Sequence, residues 1–160
     1  MRRWLTVAVG MFVGLWAQTM LLPTLLPPQW RPDLLLLVTA LIGFAVPDGR
    51  ALVVGFLLGG LQGWLHGNAL WAFMLSRALA GGFASWLRAR WLWVSAPSAA
   101  FCVGVSVLVG ELCQGTLLCL AEQSFSPLMG NGMVIGREAL MGALLGGLLF
   151  WWRQGKEAWA

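Results

Sequence analysis

Two ionisable residues, Arg77 and Glu111, lie inside long apolar runs of this sequence. Charged groups are costly at the centre of a lipid bilayer, so an intramembrane ionisable residue is a functional hypothesis by default. Arg77 lies eight residues after Ala69 and Glu111 lies ten residues before Ala121, which correspond to depths of roughly 12 and 15 Å on helices. The two residues are therefore predicted to form an internal ion pair. A proton or substrate path is the alternative, but a single pair does not make a relay.

The other residues that could bind a metal or take part in catalysis stand alone in the sequence. His66 is the only histidine, and no carboxylate or cysteine is near enough in sequence to complete a metal site. Cys102, Cys113 and Cys119 share one apolar stretch without a C-x-x-C pair, which is typical of buried apolar side chains. The G-x-S-x-G, H-E-x-x-H and P-loop motifs are also missing. The sequence therefore predicts no enzyme activity, no metal and no cofactor.

The composition points to lipid as the solvent of this chain. Of its 160 residues, 59% are hydrophobic and only 10% are charged, whereas soluble domains carry about 25% charged residues. The net charge of +4 comes from basic residues that stand singly or in pairs between apolar runs. Such a distribution forms no basic stripe, so nucleic-acid binding is excluded, and the charges are interpreted as determinants of membrane orientation.

The apolar runs predict an all-α integral membrane bundle of about six spans in a single domain. The spans are approximately 4–26, 32–46, 51–66, 69–87, 97–121 and 133–152. The second and third runs are shorter than the ~20 residues that cross a bilayer, so a re-entrant hairpin is an alternative to two full spans. With both termini in the cytoplasm, the inner segments hold Arg2, Arg3, Arg50, Arg88, Arg90, Arg153 and Lys156, and the outer ones hold Arg31. This bias predicts cytoplasmic termini under either alternative.

Glycines recur at four-residue spacing in the third run and again in the last. The first set is Gly55, Gly59, Gly63 and Gly67, and the second is Gly142 with Gly146. Such spacing places small residues on one helix face and permits close approach of another helix. The partner helix could belong to this chain or to another protein, and the sequence does not distinguish the two.

Residues 30–88 resemble the bacterial rod shape-determining protein MreD family. The resemblance rests on Trp30-Arg31-Pro32-Asp33 before a leucine run, Pro47, Gly55-Phe56, Gly59, Gly67-x-x-Leu70 and a helix closed by Arg88. Arg31, Pro32 and Asp33 are predicted to set the start of the second span on the outer side. Many family members carry an acidic residue where this chain has Gly63. Here Gln62 and His66 are the only polar residues that could substitute for that acid.

The resemblance implies a non-enzymatic scaffold of the cell-elongation machinery in the bacterial inner membrane. Family members bind the bitopic protein MreC and, through it, connect the MreB filament to the peptidoglycan synthases. In architecture they resemble the substrate-binding S components of energy-coupling factor transporters, so a small-molecule-binding subunit is the alternative. That alternative requires an outward pocket with converging polar groups. A channel or proton carrier would depend on Arg77 and Glu111 alone and ranks last.

Overall fold

The computed structural model describes residues 12–25, 27, 32–46, 48–66, 69–91, 93–123 and 126–158, and all regular structure within them is helical. The predicted all-α fold is therefore confirmed for these residues. The six helices are α1 (Phe12–Leu25), α2 (Leu34–Ala45), α3 (Arg50–His66), α4 (Leu70–Arg90), α5 (Ala96–Glu122) and α6 (Ser126–Ala158). Each predicted span overlaps one of these helices. α6 begins seven residues before the predicted span at 133, because Ser126-Pro127 is a favourable helix start although it is not apolar.

Local sequence signals determine several helix ends. The Asp33 side chain accepts a hydrogen bond from the backbone N–H of Leu36 and so caps α2. Ser95 caps α5 in the same way through Ser98 N–H, with Pro97 in the first turn. α5 ends where Gln123 adopts a left-handed conformation with φ of 51°. The chain therefore turns at positions that its own sequence specifies.

The short helix α2 occupies the centre of the bundle. It contacts all five other helices, and its buried residues include Leu35, Leu36, Thr39, Ala40 and Phe44. With 12 residues it is about 18 Å long, which is less than the 30 Å thickness of bilayer hydrocarbon. Because neighbouring helices cover α2, its length does not have to match that of a lipid-facing span.

Glycines make the contact between α3 and α4 unusually close. A Cβ on Gly55 would lie 2.3 Å from the carbonyl oxygen of Arg77, and one on Gly59 would lie 2.2 Å from that of Phe73. Gly63 lies in the same way against Leu70. These three glycines, here called the glycine seam, serve an intramolecular contact, which was one of the two interpretations of their spacing.

The second glycine set lies between α5 and α6. A Cβ on Gly142 would meet the Val107 side chain at 3.1 Å, and one on Gly146 would meet that of Val103 at 2.9 Å. Gly67 lies outside the described residues. The described glycines of both sets therefore pack against neighbouring helices of the same chain, α3 against α4 and α6 against α5.

Large apolar side chains cover the outer surface of the bundle. Trp64 is 72% exposed and Met133 is 94% exposed, and the outer faces of α3 and α6 carry further exposed leucines and tryptophans. Two helical segments, Ala96–Ala121 and Gly132–Trp152, are long and apolar enough to cross a membrane. An apolar surface of this extent is suited to lipid rather than to water.

Candidate functional site: a polar cavity at the start of the central helix

Asp33 connects three helices at the point where α2 begins. Its Oδ1 accepts from the Leu36 N–H at 3.0 Å, and its Oδ2 forms an ion pair with the Arg77 guanidinium of α4. Gln62 Nε2 of α3 donates to the same Oδ2 at 3.2 Å. The carboxylate therefore caps one helix and accepts hydrogen bonds from side chains of two others. This joins two features that the sequence analysis had kept apart, the family motif and the intramembrane arginine.

Arg77 is completely buried, with 0% of its side chain exposed. Its Nη1 donates to Gln114 Oε1 of α5 at 3.0 Å and to Ser76 Oγ at 3.3 Å. The guanidinium carbon also lies 4.9 Å from the centre of the Phe73 ring. A buried charge is tolerated when it is both paired and hydrogen-bonded. We call Asp33, Gln62, Ser76, Arg77 and Gln114 the polar network.

The structure corrects the predicted partner of Arg77, because the ion pair forms with Asp33 and not with Glu111. Measured from the ends of their own apolar runs, Arg77 and Glu111 have similar depths. Asp33 stands directly before an apolar run and so has no depth by that measure. Because α2 is short, its start lies level with Arg77, the eighth residue of α4, and the carboxylate reaches the guanidinium.

Glu111 instead lies close enough to Glu138 of α6 for the two carboxyl groups to influence each other's charge. Two carboxylates that face each other repel, so such a pair favours a proton or a cation between its oxygens. In the predicted span 133–152, Glu138 is the sixth residue and so lies near one end of that span. Since α6 begins at Ser126, Glu138 lies twelve residues into the helix, about 18 Å from its start.

A cavity of about 500 Å³ lies beside the polar network. The volume falls within the ~300–1,000 Å³ of small-molecule sites. Five helices, all except α2, contribute to its wall together with the segment directly before α2. The described lining residues are Gln18, Thr19, Leu22, Pro23, Pro32, Asp33, Gln62, Phe73, Glu111, Gln114 and Glu138. The cavity is thus a place where polar side chains from α1, α3, α5, α6 and the segment before α2 converge.

A π-helical turn brings α1 to this cavity. The turn spans Ala17–Leu21 and contains Gln18 and Thr19, which both line the cavity. Gln18 Oε1 also accepts from the Leu35 N–H at 3.0 Å, so α1 supplies a second cap to the start of α2. Single π-helical turns are frequent at functional sites, because they change the direction in which side chains project.

The family-motif residues have different outcomes in the structure. Pro32 and Asp33 both line the cavity, and Asp33 determines the start of α2 as expected. Arg31 lies outside the described residues. Gln62, which stands beside the position that is acidic in many MreD proteins, binds Asp33. No protein-family model, no curated protein and no solved structure matches this chain. The resemblance to MreD therefore depends on the motif residues themselves.

Sequence reasoning missed the roles of Gln18, Gln114 and Glu138. One signal could have identified them, because each is a strongly polar residue within an apolar helix, where a polar side chain requires a partner. The spacing of Gln114, three residues after Glu111, places both on one face of α5. Polar amides inside apolar helices therefore indicate a polar cluster in the same way as buried charges do.

Proposed function

We propose that this protein is a non-enzymatic scaffold of the bacterial cell-elongation complex, with six spans in the inner membrane and both termini in the cytoplasm. In this proposal it binds MreC and thereby connects MreB to peptidoglycan synthesis, as the MreD resemblance implies. The observation that carries the proposal is the position of Asp33. The acidic residue of the family motif joins α2, α3 and α4 through one ion pair and two hydrogen bonds. The motif thus has a structural reason to be present in a rigid membrane scaffold.

The distribution of apolar surface also supports a scaffold. The glycine seam is used inside the chain, while the outer faces of α3 and α6 expose leucine, methionine and tryptophan side chains. A transmembrane segment of another protein packs on such a face by van der Waals contact. In this proposal a partner therefore binds to the outer faces of α3 and α6 and not to the glycine seam.

A depletion experiment tests the proposed function. Cells that lose this protein are expected to become round and wide, and expression of the wild-type chain is expected to restore rods. Purification of the tagged protein from native membranes in mild detergent should recover a bitopic coiled-coil protein and wall synthases. Rods that persist after depletion, with neither partner recovered, would rule out the scaffold.

The proposed six-span topology has its own test. Cysteine is introduced at Asp48, between α2 and α3, or at Gln123, after α5, in a chain whose three native cysteines are replaced. A membrane-impermeant maleimide applied to intact spheroplasts should label Gln123→Cys, whereas Asp48→Cys should react only after permeabilisation. Labelling of Asp48→Cys in intact spheroplasts would instead support the re-entrant hairpin.

The cavity supports a second candidate function, a small-molecule-binding subunit that resembles the S components of energy-coupling factor transporters. Its size and its converging polar groups are those expected of a ligand site. The same purification discriminates the two functions. Recovery of ATPase subunits together with a membrane coupling subunit, in place of the bitopic partner, would move the protein to the transporter class.

A further inference from the structure

The described part of the cavity wall carries hydrogen-bond acceptors and acids but no bases. Its described lining residues include the carboxyl groups of Asp33, Glu111 and Glu138, three glutamines and one threonine, and none of them is lysine, arginine or histidine. The Arg77 guanidinium is completely buried and is paired with Asp33. An anionic occupant would meet carboxyl groups on this part of the wall, which therefore favours a cationic occupant.

The remaining charge is concentrated on the carboxyl pair of α5 and α6. The carboxyl groups of Glu111 and Glu138 both line the cavity, and two carboxylates in one site repel each other unless a proton or a cation lies between them. Arg137 lies next to Glu138 in the chain and attracts it, but Arg137 does not line the cavity. The pair therefore presents oxygen acceptors and negative charge to the cavity interior.

The dimensions and the ligand geometry disfavour a bare metal ion. The described residues contain no group of three or more histidine, cysteine, aspartate or glutamate side chains placed to hold a metal. A volume of about 500 Å³ is also far larger than a single ion requires. The wall further offers apolar surface from Leu22, Pro23, Pro32 and Phe73. These features suit a cation with an organic body.

We propose that the cavity binds an organic ammonium group, with its N–H donors directed at the Glu111–Glu138 pair and its organic part against the apolar wall. The N–H groups of the ammonium donate hydrogen bonds to the carboxylate oxygens, and its positive charge offsets the repulsion between the two carboxylates. Such a group occurs in a soluble amine and in the headgroup of phosphatidylethanolamine. The inference goes beyond the scaffold function, because it involves no partner protein, and it supplies a ligand class to the second candidate function.

The test uses the purified full-length protein and three compounds of nearly equal shape. Phenethylamine, 2-phenylethanol and phenylacetate carry an ammonium, a hydroxyl and a carboxylate on the same body. Their affinities are measured in detergent by isothermal titration, and phenethylamine is expected to bind at least about tenfold more tightly than the other two. A second experiment tests whether the ammonium belongs to a lipid. The protein is placed in nanodiscs that contain equal amounts of phosphatidylethanolamine and phosphatidylglycerol. Native mass spectrometry then releases the protein and identifies the lipid that stays bound to it.

Variants locate the binding to the carboxyl pair. Glu138→Gln is expected to reduce phenethylamine affinity, or preferential retention of phosphatidylethanolamine, by at least about tenfold. Glu111→Gln provides the same test should the first variant fail to fold. The matched control is Asp48→Asn, which removes one exposed carboxylate far from the cavity and is expected to change neither measurement.

Two results support the proposal and identify the source. Preference for phenethylamine that is lost in the glutamine variants indicates a soluble amine, and preferential retention of phosphatidylethanolamine that is lost in the same variants indicates the lipid. Equal affinity for the three compounds together with no lipid preference would overturn the proposal. So would an ammonium preference that both glutamine variants retain. None of these binding results changes the cell-shape readout that tests the scaffold.

Discussion

The glycine seam and the polar network use the same stretch of α4 in opposite ways. In the seam, the backbone carbonyls of Phe73 and Arg77 lie against Gly59 and Gly55, with no side chain between the helices. The side chains of the same two residues point elsewhere: that of Arg77 binds Asp33 and Gln114 in the polar network, and that of Phe73 lines the cavity. One surface depends on the absence of side chains, and the other depends on particular side chains.

The difference shows how a buried charge can be held inside an apolar bundle. The close contact at the seam fixes the position of the α4 backbone relative to α3. A fixed backbone limits the positions that the Arg77 guanidinium can reach, so less conformational entropy is lost when it pairs with Asp33. The seam therefore supplies rigidity, while the network supplies the partners that make burial of Arg77 tolerable.

The largest effect is expected from Arg77→Ala. Removal of the guanidinium leaves the Asp33 carboxylate without its ion pair in a largely buried position, which costs about 3–5 kcal/mol. The measurement is the thermal unfolding midpoint in detergent, followed by tryptophan fluorescence. Arg90→Ala, at the exposed end of α4, is the control and should change stability by less than about 0.5 kcal/mol. Equal midpoints for the two variants would show that the pair does not stabilise the fold.

A double variant tests which carboxylate is the partner. Asp33→Asn added to Arg77→Ala should recover about 1–2 kcal/mol, because it removes the unpaired charge while asparagine still caps α2. Glu111→Ala added to Arg77→Ala should recover nothing. If Glu111→Ala recovered more stability than Asp33→Asn, the result would support the Arg77–Glu111 ion pair that the sequence predicted.

Gly59→Ala tests the seam with an intermediate expected effect. The new methyl group would meet the Phe73 carbonyl at 2.2 Å, so the helices must separate, at a cost of about 1–3 kcal/mol. The matched control is Gly60→Ala, whose methyl group meets the flexible end of Met74 at 3.4 Å. The Gly60→Ala variant should be more stable than the wild type by up to about 1 kcal/mol, because alanine has a higher helix propensity than glycine. Similar behaviour of the two variants would refute the close contact.

The smallest effect is expected from Glu138→Gln. Glutamine keeps the size and the hydrogen-bonding capacity of the side chain and removes the repulsion between two acids that line one cavity, so stability should change by less than about 1 kcal/mol. A loss above about 3 kcal/mol for Glu138→Gln would mean that the cavity contributes to folding as much as the ion pair does.

Local signals in the sequence were sufficient for the helices and for part of the site. The apolar runs predicted the helices, the position of Asp33 before a leucine run predicted the cap of α2, and glycine spacing predicted close helix contacts. Each of these features depends on residues within a few turns of one another. The polarity of Arg77 and Glu111 in apolar surroundings also indicated that they require partners.

Only the tertiary structure determined which residues are the partners of Arg77 and Glu111. Spacing in a sequence gives the depth of a residue along its own helix, but the axial shift and rotation between helices are set by packing. The shortness of α2 brings Asp33 to Arg77, and the early start of α6 brings Glu138 to Glu111. The polar cavity exists because a helix of about 18 Å stands at the centre of longer ones, and this arrangement depends on all six helices together.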